Sequence, residues 1–341
     1  MRVAGMTLQG RRPHMKIGFQ RFSLLLLKLS MVLATSCALS QAFPHKPLRI
    51  IVPFPPGGGA ESTARLMAQK LSDGLGQPVL VETRPGAGGN IGTEAVARAP
   101  ADGYTLLLAT SGMAIQPHLQ KTSWDPMRDF APLGIVASYS LVIAAHPSVP
   151  VQTLPELIAY AKANPGKLTY GSSGSGGPLH LGAELFASQA GIKLLHVPYK
   201  GNAPMTLAIL SGEINLVFDS PVGPLPNIRA GKLRALGTTG AKRSHNLPEV
   251  PTVREWKELN LPQFEYESWN GLMVPAGSPP EVVRRLSQEV KRISALPEVR
   301  ERLSALGYDP RNDGVEEMAQ IMAQDFQRFG HVIKQVGIKL D

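Results

Sequence analysis

The sequence has little cysteine and, once its N-terminus is set aside, no large excess of charge. Cys37 is the one cysteine of the 341 residues, so a chain without residues 1–42 can form no disulfide, thiolate nucleophile or cysteine metal ligand. Those residues also hold six of the 35 basic residues and none of the 26 acidic ones, so their removal lowers the net charge from +9 to +3. Lys and Arg form no stripe with interleaved aromatics, and we expect no nucleic-acid partner.

The N-terminus has the pattern of a secretory signal peptide. Lys16 and Arg21 precede the apolar run FSLLLLKLSMVLA, and small residues follow it up to Ala42. We therefore expect residues 1 to 42 to be a signal peptide, cleaved after Ala42, and the rest of the chain to be exported. Lys28 interrupts the run, which disfavours a transmembrane span of about 20 apolar residues. An uncleaved anchor and a lipid anchor on Cys37 are the alternatives.

The motifs of the common enzyme classes are also absent. GxGxxG fails at Gly86 because Gly92 falls one residue late, no serine within residues 171–177 has glycine at both the −2 and +2 positions, and no Walker A spacing is present. The histidines form no HxxxH or HxH pair, so a metal site has no support. We expect no enzyme, cofactor or metal. An acid/base pair of His180 and Asp219 in the folded protein is the alternative.

Short apolar runs alternate with helical patterns along residues 43–341, a length that suits one large or two medium domains. This alternation predicts an α/β fold with parallel sheets, whose buried strands read as continuous apolar runs. Two extended segments, residues 140–150 and 269–280, stop at proline-rich turns before a new helix. Between them lies a self-contained α/β pattern of about 120 residues.

We interpret these two segments as crossings between two α/β lobes. Lobe 1 would comprise residues 43–145 and 271–341, and lobe 2 residues 146–270, with a hinge near His146 and Asn270. A single continuous doubly wound sheet is the alternative that periodicity leaves open.

Three glycine-rich turns lead from an apolar run into a helical pattern. They are PFPPGGGAESTAR from Pro53, RPGAGGN from Arg84 and YGSSGSGGPLH from Tyr170. Such a turn exposes backbone N–H groups together with the positive end of the helix dipole, so it can hold a small anion without a cationic side chain. The three turns predict a carboxylate cradle; turns without a binding role are the alternative.

Six ordered blocks of the chain resemble those of the tripartite tricarboxylate transporter substrate-binding receptors, also called Bug-type extracytoplasmic solute receptors. They are KPLRIIVPFPPGGGAESTAR, VETRPGAGGNIGTEAVARAPADGYTLLLAT, HVPYKGNAPMTLAILSGEINLVFDS, GKLRALGTTGAKRS, PEVPTVREW and WNGLMVPAGSP. The resemblance runs from Lys46 to the C-terminus. It implies a type II periplasmic binding protein, in which two α/β lobes are joined by a two-crossing hinge with a ligand cleft between them.

The resemblance also implies location and partners. We expect a periplasmic monomer that binds a small-molecule ligand, a carboxylate, and delivers it to a membrane transporter with a large and a small integral subunit. A sensor protein is the alternative partner.

The family's binding mode, transferred to the matching positions of this sequence, implies that both lobes contact the ligand. The implied ligand-binding residues are Phe54, Pro56, Gly57, Gly58, Gly59, Thr110, Ser111, Ser172, Ser173, Gly174, Ser175, Gly176, His180, Tyr199 and Asp219. Glu61 departs from the Asp that the family often has there, which puts a capping or water-holding role at this position in doubt.

Four of the residues near these loops also have a structural interpretation. His180 fits a helix-face histidine, Asp219 a helix N-cap and Trp269 hinge packing, while Lys200 fits a solvated flank.

Overall fold

The computed structural model describes Met1, Gly5 and residues 43–337, apart from the side chains of Gln335 and Val336. The chain divides into two units, residues 1–45 and 46–341. The predicted signal peptide, its cleavage site and Cys37 lie outside the described residues. Among the residues that are described, no helix has both the length and the apolar character to cross a membrane.

Within residues 46–337, the strands form two sheets. The first sheet contains β1 (Leu48–Val52), β2 (Val79–Thr83), β3 (Thr105–Thr110), β4 (Phe130–Ser140), β10 (Glu267–Pro275) and β11 (Asp309–Asp313), in the spatial order β11-β4-β10-β3-β1-β2. The second contains β5 (Val142–Ala145), β6 (Thr169–Ser172), β7 (Leu195–Pro198), β8 (Leu216–Asp219) and β9 (Arg234–Thr238), in the order β7-β6-β8-β5-β9.

Most α-helices of the described residues follow a strand, but no α-helix separates β4 from β5 or β9 from β10. The α-helices are α1 (Gly59–Leu75), α2 (Asn90–Ala97), α3 (Gly112–Leu119), α4 (Leu154–Ala163), α5 (Pro178–Ala190), α6 (Asn202–Ser211), α7 (Pro224–Arg229), α8 (Pro280–Ser294), α9 (Pro297–Ala305) and α10 (Val315–Val336). The C-terminal helices α8 and α10 pack on β4, so the end of the chain belongs with the first sheet. We call the first sheet with its helices lobe 1 and the second lobe 2.

Both sheets are mixed, and the expectation of wholly parallel sheets was wrong. Strands β1, β2 and β3 pair in parallel, as do β6, β7 and β8. By contrast, β10 is antiparallel to β3 and β4, and β5 is antiparallel to β8 and β9. Strand β5 is the first strand after the chain leaves the first sheet, and β10 is the first strand after it returns. No crossover helix places them beside a parallel partner, so the βαβ argument does not apply to them.

The chain changes sheet earlier than the predicted lobe boundaries. The extended segment of residues 140–150 contains the last residue of β4 and the whole of β5, which lie in different sheets on either side of Leu141. On the return, β10 already belongs to the first sheet from Glu267. We therefore propose residues 142–266 as lobe 2. No glycine or proline interrupts the apolar run at Leu141. The proline-rich turns from which the crossings were predicted follow the strands and do not separate one sheet from the other.

Thr239 joins the two crossings. Its hydroxyl accepts the Leu141 N–H at 2.8 Å and donates to the Tyr266 carbonyl at 2.6 Å. Its backbone N–H donates to Leu141 O and its carbonyl accepts from Tyr266 N. We therefore propose a hinge centred on these three residues, in place of one near His146 and Asn270. Trp269 packs within lobe 1, where its indole N–H donates to Asp325 of α10 at 2.8 Å.

Candidate functional site

A cavity of about 430 Å³, part of it open to solvent, lies between the two lobes. Lobe 1 lines it with Phe54, Gly58, Gly59, Ala60, Thr110, Tyr139 and Tyr308, and lobe 2 with Ser173, Pro178, Leu179, Asn202 and Ser220. None of these twelve side chains carries a charge at neutral pH. We call this space the central cavity.

Three helices begin at the central cavity. Gly59 and Ala60 open α1, Pro178 and Leu179 open α5, and Asn202 opens α6. The first N–H groups of a helix have no acceptor within the helix, and the dipole makes this end positive. Proline fits the first position of α5 because that position needs no N–H donor. Donors from both lobes therefore surround one uncharged space, which is the arrangement that binds small anions.

The glycines of the first turn permit two close contacts across this space. A Cβ at Gly59 would overlap the Tyr308 hydroxyl, and a Cβ at Gly58 would lie 2.9 Å from Asn202 Oδ1. Tyr308 and Asn202 come from opposite lobes, so the backbone of this turn is held directly between them.

Asp219 lies behind the central cavity and orients Asn202. Its carboxylate is 1% exposed and accepts from Asn202 Nδ2 at 2.8 Å and from the Ser220 N–H at 2.7 Å. Burial raises the pKa of Asp219 to about 7, against the lowering effect of the Ser220 and Asn202 hydrogen bonds. It is not the N-cap of the helix that follows, since Gly223 takes that position in α7. Asp219 thus acts on the cavity through Asn202 and not as a lining residue.

Two histidines form hydrogen bonds with the loop of residues 172–177. Ser172 Oγ lies 2.6 Å from His196 Nε2, and the Gly176 N–H donates to His180 Nδ1 at 3.0 Å. The two imidazole rings stack at 4.1 Å. Burial, followed by the neighbouring His196, lowers the pKa of His180 to about 3. His180 is therefore neutral, as its acceptor role requires.

The predicted acid/base alternative pairs His180 with Asp219. Within the described structure, the hydrogen-bond and ring partners of His180 are Gly176, His196 and Tyr170, and Asp219 is not among them. The structure does not bring the two groups together in a contact.

The other predicted residues divide between the cavity and its surroundings. Phe54, Gly58, Gly59, Thr110 and Ser173 line the central cavity, whereas Gly174, Ser175 and Tyr199 line a neighbouring groove. Ser111 is buried, with its Oγ 2.6 Å from Ser268 Oγ. Pro56 and Gly57 are exposed outside the cavity.

The carboxylate of Glu61 accepts a hydrogen bond from one backbone N–H group of the first glycine-rich turn. The Gly57 N–H donates to Glu61 Oε2 at 2.6 Å, and Arg65 pairs with Oε1 at 2.6 Å. The Gly57 hydrogen bond, the largest influence, lowers the pKa of Glu61 together with Arg65. The Glu61 carboxylate therefore holds the turn at a point outside the cavity. The backbone N–H groups of Gly59 and Ala60 remain available to a ligand in the cavity.

The sequence interpretation missed several lining residues, namely Ala60, Tyr139, Pro178, Leu179, Asn202, Ser220 and Tyr308. Asn202 had a usable signal, because YKGN ends in a glycine turn before a helical pattern, like the other two loops. Tyr139 and Tyr308 had none, since they come from distant parts of the sequence and meet only because β4 and β11 pair.

Comparison with known proteins shows the family of the chain. The family model described as "Tripartite tricarboxylate transporter family receptor" matches residues 63–338. The chain belongs to this receptor family. The receptor is similar to Protein BugT of Bordetella pertussis, with 34% identity over 307 residues that cover 88% of this chain and 92% of BugT.

Two solved structures of relatives have the same two-lobe fold. Rpa4515 of R. palustris, solved with adipate, is 33% identical with a TM-score of 0.82, over 87% of this chain and 99% of that one. MatC (Rpa3494) from Rhodopseudomonas palustris, with bound malate, is 29% identical with a TM-score of 0.80, over 85% of this chain and all of that one. The receptor is thus a solute-binding protein of a tripartite transporter system, and members of its family are periplasmic binding proteins.

Proposed function

We propose that this receptor captures a small carboxylate between its lobes in the periplasm and delivers it to a transporter with a large and a small integral membrane subunit. One observation carries the proposal: helix N-termini from both lobes meet at a cavity whose lining side chains are all uncharged. Neutral donors can hold a carboxylate without the desolvation cost of burying a cationic partner. The adipate and malate of the two relatives support the same ligand class.

Ligand capture would favour the closed arrangement of the lobes. A carboxylate that accepts from Gly59 and Ala60 on one side and from Leu179 on the other makes its full set of contacts only when the lobes meet. It therefore binds the closed state more tightly than the open one, and this difference drives closure. Opening returns the donors to water and releases the ligand to the transporter.

We infer a receptor without enzymatic activity. The titratable side chains on the central cavity are Tyr139 and Tyr308. Burial raises the pKa of Tyr139 to about 12 and holds that of Tyr308 well above its ordinary value. Neither hydroxyl ionises near neutral pH, so each acts as a hydrogen-bonding group and not as a general base.

A thermal-shift screen with malate, adipate and other small carboxylates tests this function. A ligand present at about 100 times its Kd should stabilise the folded receptor by about 2.7 kcal/mol and raise its melting temperature. Calorimetry on each positive acid then gives the Kd. Absence of any shift with the whole carboxylate panel, together with turnover of a tested substrate, would replace the receptor function by an enzymatic one.

A further inference from the structure

Asp219 is a buried carboxylate without a cationic partner among the side chains that the structure describes. It is 1% exposed. Its hydrogen bonds come from neutral groups, namely Asn202 Nδ2 at 2.8 Å, the Ser220 N–H at 2.7 Å and the Ser220 hydroxyl at 3.4 Å, and all three reach Oδ1. Neutral donors offset only part of the cost of burying a charge, so the fold disfavours the ionised form of this group.

The carboxylate of Asp219 lies next to the space that the ligand would occupy. Asn202 and Ser220, its two hydrogen-bond partners, both line the central cavity. Tyr139 and Tyr308 line the same cavity. Burial is the largest influence on the pKa of these two tyrosines, and the negative charge of Asp219 raises both values further. The field of Asp219 therefore reaches the cavity.

The elements of lobe 2 that pack against β8 bring no positive charge to Asp219. Strand β5 and helix α6 contain no titratable residue. Tyr170 of β6 donates to Glu184 of α5 at 2.6 Å. Burial lowers the pKa of His180 in α5 to about 3, so this ring is neutral where it stacks on His196 of β7.

The cations of the nearby loops and helices are exposed to solvent. Arg229 lies in the last turn of α7 and is exposed. Lys200, in the loop before α6, is exposed and lines the neighbouring groove but not the central cavity. In lobe 1, Arg65 pairs with Glu61. A carboxylate in the central cavity would therefore meet the charge of Asp219 without a cationic side chain on the cavity wall to offset it.

We propose that Asp219 is a proton site coupled to the ligand site: when a carboxylate enters the central cavity, Asp219 takes up one proton and remains protonated in the complex. The inference rests on the proposed function, because it assumes that the cavity holds a carboxylate. The proton comes from solvent and binds Oδ2, while Oδ1 keeps its bonds to Asn202 and Ser220. The receptor would thus bind an anion together with a proton.

This coupling fixes the pH range in which affinity changes. Burial raises the pKa of Asp219 to about 7 in the receptor without ligand, and a bound anion would raise it further. Below about pH 7 the group is already protonated, so binding takes up no proton there. Above this pH each binding event draws in a proton, and the Kd should rise by up to about tenfold per pH unit.

Calorimetry with malate, adipate and succinate as probes measures this proton directly. Titrations at the same pH in two buffers with different enthalpies of ionisation give the number of protons taken up per ligand. Wild type should take up more than about half a proton at about pH 8 and almost none at about pH 6. Asp219→Asn should take up none at either pH, because its amide keeps Oδ1 as an acceptor and does not titrate.

Asp102→Asn is the matched control, since it removes an exposed carboxylate paired with Lys46 in lobe 1. It should take up the same number of protons as wild type. The side-chain 13C carboxyl signal of Asp219 in the wild-type receptor gives a second measurement that needs no variant. At about pH 8 this signal should move from its ionised to its protonated position when the ligand is added.

The outcomes separate the proton site from the function on which it rests. Proton uptake in wild type and Asp102→Asn that is lost in Asp219→Asn supports the coupling. Binding without uptake, uptake that persists in Asp219→Asn, or a carboxyl signal that stays ionised overturns the proton site and leaves the carboxylate receptor standing. Binding of none of the three acids at either pH overturns both.

Discussion

The side-chain amide of Gln116 in lobe 1 donates a hydrogen bond of 2.8 Å to the backbone carbonyl of Gly176 in lobe 2. The same nitrogen donates to Gly88 O at 3.1 Å within lobe 1. Gln116 is 2% exposed, and its bond to the Gly176 carbonyl is buried, whereas its bond to the Gly88 carbonyl is partly buried. The amide thus joins the turn at Gly88 to the opposite binding loop in the closed arrangement, and it does so without contacting the central cavity.

We expect Gln116→Met to weaken ligand binding through the lobe equilibrium. Methionine has a similar length but no donor, so closure would leave the Gly176 carbonyl buried without a partner, at a cost of about 1–3 kcal/mol. The open state does not pay this cost because water reaches the carbonyl there. The Kd for a carboxylate that the thermal-shift screen identifies should therefore rise about fivefold or more, and small-angle X-ray scattering should show a more open receptor without ligand.

Gln120→Met is the matched control. Its side-chain amide donates to Gln116 Oε1 and to Ala87 O, both in lobe 1. Loss of these bonds removes no contact between the lobes, and the Kd should change little. Equal effects of the two substitutions would show that the inter-lobe hydrogen bond does not govern closure.

The glycine at the start of α1 offers a direct test of the cradle. Gly58→Val places a side chain against Asn202 Oδ1, in a backbone conformation with φ −97° that valine can adopt. We expect the fold to persist and the Kd for a bound carboxylate to rise at least about tenfold, because Asn202 is displaced from the cavity.

Gly314→Val controls for the substitution itself. Gly314 also precedes a helix, has φ −83°, and would place its Cβ 2.9 Å from a side-chain oxygen, Oε2 of Glu317, away from the cleft. Thermal unfolding with and without ligand should show ligand-induced stabilisation in Gly314→Val and its loss in Gly58→Val. Full stabilisation of Gly58→Val would refute the assignment of this turn to the ligand.

Asp219 should make the receptor less stable as the pH rises. Its pKa is raised to about 7 in the fold from an ordinary value of 3.8, so the native state binds more protons than the unfolded state between these values. The free energy of unfolding should fall from about pH 4 to about pH 7, by as much as about 4 kcal/mol, and stay low above that range. Asp219→Asn removes this slope because the amide does not titrate.

Urea unfolding across this pH range measures the effect as the difference between wild type and Asp219→Asn. The difference cancels other titrations, among them the opposite contribution of His180, whose lowered pKa favours the fold as the pH rises from about 3 to about 6.5. Asp102→Asn, which removes an exposed carboxylate paired with Lys46, controls for the loss of an acid. Parallel curves for wild type and Asp219→Asn would contradict the raised pKa.

Local patterns were sufficient to predict most helices and strands. The glycine-rich turns from Pro53 and Tyr170 predict a helix after each of them, and α1 and α5 begin there. The sheet change at Leu141 was not predictable, because a continuous apolar run has the same appearance whether it stays in one sheet or passes between two. The antiparallel direction of β10 results from the passage of the chain between the sheets. It was therefore not predicted either.

The site was predictable only where a loop carries its own signal. Gly58, Gly59 and Ser173 lie in turns whose composition indicates exposed N–H donors, and they line the central cavity. Tyr139 and Tyr308 are buried, and their rings, 5.1 Å apart, meet through a strand pairing that sequence spacing does not encode. Asp219 is predicted as a ligand contact, and in the structure its carboxylate accepts a hydrogen bond from Asn202, which lines the cavity.

We propose that helix N-termini of both lobes hold one carboxylate. Titration of the 15N-labelled receptor with adipate, followed by two-dimensional NMR, tests this binding mode at the backbone amides of Gly59, Ala60 and Leu179. We expect the amide signals from both lobes to shift together and to saturate at the same ligand concentration. Shifts confined to one lobe, or a bound adipate that leaves all three amides unchanged, would contradict it.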